Sequence, residues 1–374
     1  MKTKIDYASF SSAIESYMSW VYTGSVLDKE KKICVRVFET KIELAVKSSN
    51  ILVKQMIKAE TTDFEEGWSF LLDYPVLKGL TETYRNLSCT YIDKVEFVKT
   101  EHGVRMNLYE QPKEGYPKSF AQTQSYDYPQ STVPVEKYYK ETETILLDYG
   151  KIEGVNEWLE SLVPHMKPET QMQFEKDYAL INCAKVIYGY KNPCREIFQD
   201  GSAMTQPESV FLRQLTKYTK GTQEFATTAN YIVLFWGSCV AYMTKTSVRR
   251  PMYSIFKHEP YRWSVSVAGG YFEDILRRFR HLEDEITITT EKENLILRGK
   301  GIRQTMVADI QPKDVQQSLY AESKVLESCI LQKSDRVHLG FVDKKSRGRQ
   351  DYYVCYITGS EDSQWVSVMQ IRKG

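Results

Sequence analysis

The side chains best suited to acid–base or metal chemistry are the five histidines, His102, His165, His258, His281 and His338. They lie far apart, with no H-E-x-x-H run to set two ligands on one helix face. No P-loop is present to cradle a phosphate, and no G-x-S-x-G elbow to present a nucleophile. The run Glu283-Asp284-Glu285 could hold a cation or move a proton. It falls between a helical and an extended segment, where a solvated turn is the simpler reading. Seven cysteines (34, 89, 183, 194, 239, 329 and 355) are scattered singly, mostly in apolar segments. That pattern predicts buried free thiols in a reducing compartment rather than a disulfide framework. These observations point to a protein that binds rather than catalyses, with no cofactor and no metal.

What remains is positive charge at helical spacing. Phe272, Ile275, Leu276 and Phe279 form an apolar stripe. Arg277 and Arg278 lie opposite it, with Arg280 on its flank. Phe211, Leu215 and Tyr218 form a second stripe, backed by Arg213, Lys217 and Lys220. Lys78, Arg85 and Lys324 extend the pattern to further helices. Such faces suit diffuse, sequence-independent contact with phosphates, or they are ordinary solvated faces. Two helices run against the pattern, one exposing Glu15 and the other Glu157 and Glu160. Fifty basic and 49 acidic residues leave a net charge of +1, which argues against a surface that grips nucleic acid statically.

The elements that carry these residues recur. Residues 261–310 read as strand, helix and three strands, from alternation at 263–267, 285–290, 295–299 and 304–309 around the helix 272–282. The same order fits 4–58, with a helix over 10–21, and 67–126, with a helix opening at Pro75. It fits 144–190, with a helix over 154–163, and a stretch led by the helix 208–220 with strands at 224–229, 231–236 and 240–244. It fits 315–372, with a helix over 323–331. Six β-α-β-β-β copies of about 60 residues imply a repeat architecture of class α+β. The proline-bearing stretch 129–135 reads as a linker. There is no run of about 18 apolar residues to span a membrane, and the opening MKTKIDYASF lacks a signal-peptide core. A cytoplasmic location is expected, in a bacterium or an infected host cell.

Six such copies, paired into three domains, resemble the bacterial β-type DNA sliding clamp. The closing WVSVMQIR (365–372) is similar to that family's Tyr-Val-Val-Met-Pro-Met-Arg-Leu end, so Met369, Ile371 and Arg372 fall on its Met, Met and Arg. RRPMYSIF (249–256) resembles its Phe-Pro-Asp-Tyr-Arg-Arg-Val-Leu-Pro, with Pro251 and Tyr253 on the Pro and Tyr. SLYAESKVL (318–326) is similar to its Phe-Asn-Ala-Arg-Tyr-Leu-Leu. Gln370 replaces the family's Pro, and Lys373–Gly374 extend past its usual end. The family's Ala-Thr-Asp-Gly-His-Arg run has its nearest counterpart at 179–186. Such divergence points to a bacteriophage-encoded clamp.

The resemblance implies the DNA clamp fold, with domains at 1–128, 136–250 and 257–374, each of two β-α-β-β-β units. It implies a homodimeric ring with outer sheets and inner helices. Lys78, Arg85, Arg213, Lys217, Lys220, Arg277, Arg278, Arg280 and Lys324 would face duplex DNA. A groove between the second and third domains would take peptides from a DNA polymerase and a clamp loader. Its candidate residues are Pro251, Tyr253, Ile255, Val368, Met369, Ile371 and Arg372. Alternatives are a trimeric clamp, a phage structural or scaffold protein of repeated units, and an enzyme without a recognisable motif.

Overall fold

A computed structural model describes residues 1–15, 21, 31–131, 133–139, 146, 148–153, 155–175, 177–192, 197–198, 201–218, 222–248, 260–344, 352–360 and 363–374. The first copy is β1 (Lys2–Asp6), α1 (Tyr7–Glu15), β2 (Lys32–Val37), β3 (Lys41–Lys47) and β4 (Ile51–Lys58), followed by a short β5 (Glu60–Thr62). The second is β6 (Ser69–Asp73), α2 (Tyr74–Arg85), β7 (Thr90–Thr100), β8 (Gly103–Pro112) and β9 (Gln122–Pro129). The third is β10 (Asp148–Ile152), α3 (Val155–Leu162), β11 (Gln171–Phe174), β12 (Tyr178–Cys183) and β13 (Val186–Lys191). The fourth is β14 (Ser202–Thr205), α4 (Gln206–Tyr218), β15 (Gln223–Thr227), β16 (Tyr231–Trp236) and β17 (Cys239–Thr244), with a two-residue β18 (Thr246–Ser247) after it. The fifth is β19 (Trp263–Ala268), α5 (Gly269–Leu282), β20 (Glu285–Glu291), β21 (Asn294–Gly299) and β22 (Ile302–Gln311). The sixth is β23 (Ser318–Glu322), α6 (Ser323–Ser328), β24 (Arg336–Lys344), β25 (Tyr352–Thr358) and β26 (Trp365–Lys373).

The helices form where the stripes predict them. Pro75 sits in the first turn of α2, where its missing N–H costs nothing. Phe272, Ile275, Leu276 and Phe279 of α5 are fully buried. Gly269 opens α5 because a Cβ there would lie 2.0 Å from the Ser334 carbonyl oxygen. The helix expected over 323–331 stops at Ser328, and Cys329 and Ile330 donate to carbonyls three residues back, which tightens its end. Of the helix expected over 10–21, the structure describes Tyr7–Glu15 and the buried Val21. The expected linker is anchored at its far end, where a single 3-10 turn, Val135–Tyr138, buries Tyr138 against Cys34, Ala45, Leu52 and Leu71.

Strand pairing is exchanged between neighbouring copies, and the exchange occurs three times. β1 pairs with β7 while β6 pairs with β2. β10 pairs with β15 while β14 pairs with β11. β19 pairs with β24 while β23 pairs with β20. The closing strands make a second kind of link, β4 with β17 and β13 with β26. Two compact units result, Met1–Glu153 with Gln214–Lys245, and Gly154–Arg213 with Thr246–Gly374. The third and fourth copies are shared between them, because β10 and β15 belong to the first unit and β11 and β14 to the second. No helix among the described residues is long and apolar enough to cross a membrane.

In the second unit Trp158 of α3 is fully buried, with ring centroids 5.8 Å from Phe174 and 5.2 Å from Phe198. Truncating it leaves a cavity as well as losing buried area. Trp158→Ala is expected to cost about 3–5 kcal/mol, read as a lower urea midpoint; an unchanged midpoint would contradict this packing.

Candidate partner groove and nucleic-acid interface

The closing strand β26 has β25 along one edge over 366–372. Its other edge takes β13 along 365–369 and then β23 at 372–373. A groove of about 690 Å³ is lined by the start of β13, the end of β23 and β26 between them. Its apolar part is Val342, Tyr356 and Val368, which cluster with Val366, and the half-buried Ile187 and Val354 packed on them. An aliphatic side chain fully buried here would gain roughly 1.5–3 kcal/mol.

Of the residues expected in the groove, Val368, Met369 and Arg372 line it. Ile371 does not: it is fully buried and lines no part of the groove. Side chains alternate along a strand, so Val368, Gln370 and Arg372 share one face and Ile371 points to the other. Met369 is also largely buried, with its sulfur accepting from the Cys329 thiol at 3.6 Å. Pro251, Tyr253 and Ile255 lie outside the described residues. The segment 179–186, nearest to the Ala-Thr-Asp-Gly-His-Arg run, forms β12 and the turn into β13, and supplies Asn182, Ala184, Lys185 and Val186 to the lining. Ala184 has φ +53°, a backbone state that glycine adopts without strain. Sequence reading missed Ile187, Val342, Val354 and Tyr356; the alternation of their strands marks them as same-face residues, but only the pairing brings those faces together.

Charge rims the groove. Lys185 Nζ donates to both carboxylate oxygens of Glu322 at 2.6 Å. Arg372 donates to Glu285 and lies 5.8 Å from the Tyr320 ring centroid. The acidic run is thereby accounted for: Glu285 holds Arg372, Asp284 accepts from Lys324 at 3.3 Å, and the Glu283 carbonyl accepts from the Ser323 hydroxyl. At the turn before β11, His165 stacks on Tyr188 at 4.1 Å, and burial lowers its pKa. Four of the six described cysteines are buried, Cys89 and Cys183 are half-buried, and all six are free thiols. Burial pushes Cys34 and Cys239 up to about 12; Cys194 lies outside the described residues. Among the described residues no group of three or more His, Cys, Asp or Glu is placed to hold a metal.

The helix cations are mostly answered by acids of the same chain. Arg85 of α2 pairs with Glu15 of α1, Arg213 of α4 with Glu160 of α3 at 2.7 Å, and Arg280 of α5 with Glu327 of α6 at 3.0 Å. Within single helices, Lys78 lies 3.9 Å from Glu82 and Arg277 3.4 Å from Glu273. Arg278 is exposed, with no ion-pair partner among the described residues. Glu15 and Glu160, which ran against the basic pattern in the sequence, are the counter-charges of two of its members. The structure describes no side chain for Lys217, and Lys220 lies outside the described residues.

This architecture is the DNA clamp fold. The structure aligns with the beta subunit from DNA polymerase of Streptococcus pyogenes at a TM-score of 0.71 and 10% identity, over 100% of both chains. It aligns with the DNA polymerase III beta subunit of Thermotoga maritima at 0.69 and 10%, over 99% of this chain and 98% of that one. It aligns with the Helicobacter pylori beta clamp bound to a DNA ligase peptide at 0.66 and 12%, over 99% of both. No family model matches the chain, and no curated protein matches it in sequence. The likeness is therefore one of fold, carried end to end.

The end of β26 is tied down by Asp343, which accepts from Lys373 at 2.5 Å and from Arg262. The Lys373 hydrogen bond is the main cause holding the Asp343 carboxyl below the usual carboxylate range. A depressed folded-state pKa stabilises above the unfolded value of about 3.9, and that stabilisation is lost as pH falls through the folded value. The melting-temperature gap between the parent and Asp343→Asn should therefore be open at neutral pH and close below about pH 4. A gap independent of pH would contradict the assignment.

Proposed function

We propose that the chain is a DNA sliding clamp, a non-enzymatic processivity factor. Two copies close head to tail around duplex DNA, tether a DNA polymerase and depend on a clamp loader. The observation that carries this reading is the clamp fold running through the whole chain. The three strand exchanges support three domains, 1–128, 136–250 and 257–374, each made from two copies.

Ring closure is supported by the closing strands. Copy one links to copy four through β4 and β17, and copy three to copy six through β13 and β26. The rule joins an odd-numbered copy n to copy n+3, so copy five needs an eighth copy, which is the second copy of another chain. Among the described residues both required edges are free. There β9 pairs with β8 along one edge and with no described strand along the other. β22 takes β19 only along 308–311, leaving the same edge open over 302–307, where Val307 is 79% exposed. Free edges of this kind are templates for pairing.

The basic helix faces, Arg278 foremost, would meet phosphates without reading sequence, and their internal acids would keep that contact weak enough for sliding. The groove beside β26 would receive the partner peptides, with Val368, Met369 and Arg372 in its wall and Pro251, Tyr253 and Ile255 as the proposed neighbouring wall.

The test is retention on nicked circular DNA after loading by the cognate loader. The proposal expects a complex that survives high salt on circles and is shed when the DNA is cut once. Equal retention on circular and linear DNA would overturn it.

A further inference from the structure

In four of the copies the leading strand is also paired with the end of its own copy. β1 takes β5, and β14 takes β18, each the short strand that follows the copy's last. β19 takes the end of β22, and β23 the end of β26. β6 does not follow: among the described residues it has β2 along one edge and no strand along the other. The Val37 N–H donates to the Trp68 carbonyl at 3.0 Å, and the Tyr74 N–H to the Lys31 carbonyl at 3.0 Å. Alternate residues of an antiparallel ladder turn to opposite edges. Trp68, Phe70 and Leu72 therefore serve β2, while Ser69 and Leu71 turn their N–H and C=O groups to the open edge.

A proline explains the opening. In copy six Tyr320, three residues before its helix, lies opposite Arg372, which in turn lies opposite Tyr352, the first residue of β25. The matching positions in copy two are Leu71 and Pro129, and Pro129 lies opposite Gly103, the first residue of β8. Gln130 donates to the His102 carbonyl at 2.9 Å, so position 129 faces away from β8. A proline there has no N–H to give. The edge instead borders a cavity of about 430 Å³, lined by Trp68 and Phe70 of β6, Val104 of β8 and Tyr128 of β9. Glu101 and Glu136 also line it, with no ion-pair partner among the described residues, whereas Lys99 is paired with Glu65.

We propose that this edge docks a short extended segment of another protein, apolar at its centre and basic at its ends, which adds to β6 as an antiparallel strand. The four self-closed copies pair in that orientation. The segment's backbone meets that of Ser69 and Leu71, its apolar side chains enter the cavity, and its bases meet Glu101 and Glu136. Strand addition takes affinity from main-chain hydrogen bonds and specificity from pockets for alternate side chains. The site belongs to the first compact unit and the groove beside β26 to the second, so the two stand or fall separately.

The experiment uses the full chain and a dye-labelled, acetylated and amidated hexapeptide, Lys-Val-Thr-Val-Thr-Lys, read by fluorescence anisotropy. Ser69→Pro removes one donor from the open edge and leaves the β2 ladder intact. It should weaken binding by about fivefold or more, while Ser69→Ala, which keeps the donor, should bind as the parent does. Peptides N-methylated at alternate residues carry the same test without altering the protein, and at least one of the two alternate sets should lose binding. A Glu-ended peptide should bind about threefold or more weakly at low salt. Binding should persist in Ile187→Asp, which puts a charge into the groove beside β26. Equal binding by the parent and a folded Ser69→Pro, no loss with either N-methylated set, Lys- and Glu-ended peptides binding alike, or no binding at all would overturn the docking site. Binding lost in Ile187→Asp and kept in Ser69→Pro would move the peptide to that groove, overturning the docking site and leaving the clamp reading untouched.

Discussion

Each copy gives its leading strand to its neighbour, and the rest of the structure depends on that exchange. A lone β-α-β-β-β copy would leave two strand edges and one helix stripe uncovered. Exposed edges invite aggregation, and unpaired backbone groups cannot be buried cheaply. By exchanging β1 with β6, β10 with β14 and β19 with β23, paired copies cover one another's edges and bring their helices together. The cross-helix ion pairs Arg85–Glu15, Arg213–Glu160 and Arg280–Glu327 follow from the same pairing.

On the proposed reading, those ion pairs bear on function more than on stability. Exposed pairs contribute about 0–1 kcal/mol each. On the proposed clamp reading, their larger effect would be to neutralise cations that would otherwise hold a polyanion firmly. A ring that holds DNA by topology has no need of tight contact, and a net charge of +1 is consistent with that division of labour. The groove follows the same economy, with its charges spent on one another and its floor left apolar.

Much of the fold was legible in the sequence because period alone separates these helices from these strands. The stripe in α5 and the alternation of β20 and β21 are examples, and the order of elements in five of the six copies follows from such cues. The exchange was not legible: Lys2 opposite Val98 and Ser264 opposite Gly340 are contacts between distant segments with no local mark. β14, only four residues long, has too little pattern to register. At the groove, the closing motif located Val368, Met369 and Arg372. Ile371 is fully buried and lines no part of it. Lys185 and Glu322, 137 residues apart, could be joined only by the fold.

The central claim is that the edges left free within one chain, β9 and the first half of β22, find each other in a second chain. Cysteines introduced at Ser125 and Val307 of the same chain, treated with a flexible bis-maleimide, test it most directly. The account predicts a covalent species of twice the chain mass, with cross-linked peptides joining position 125 to position 307. A product of single-chain mass, or dimers lacking the 125–307 link, would contradict it.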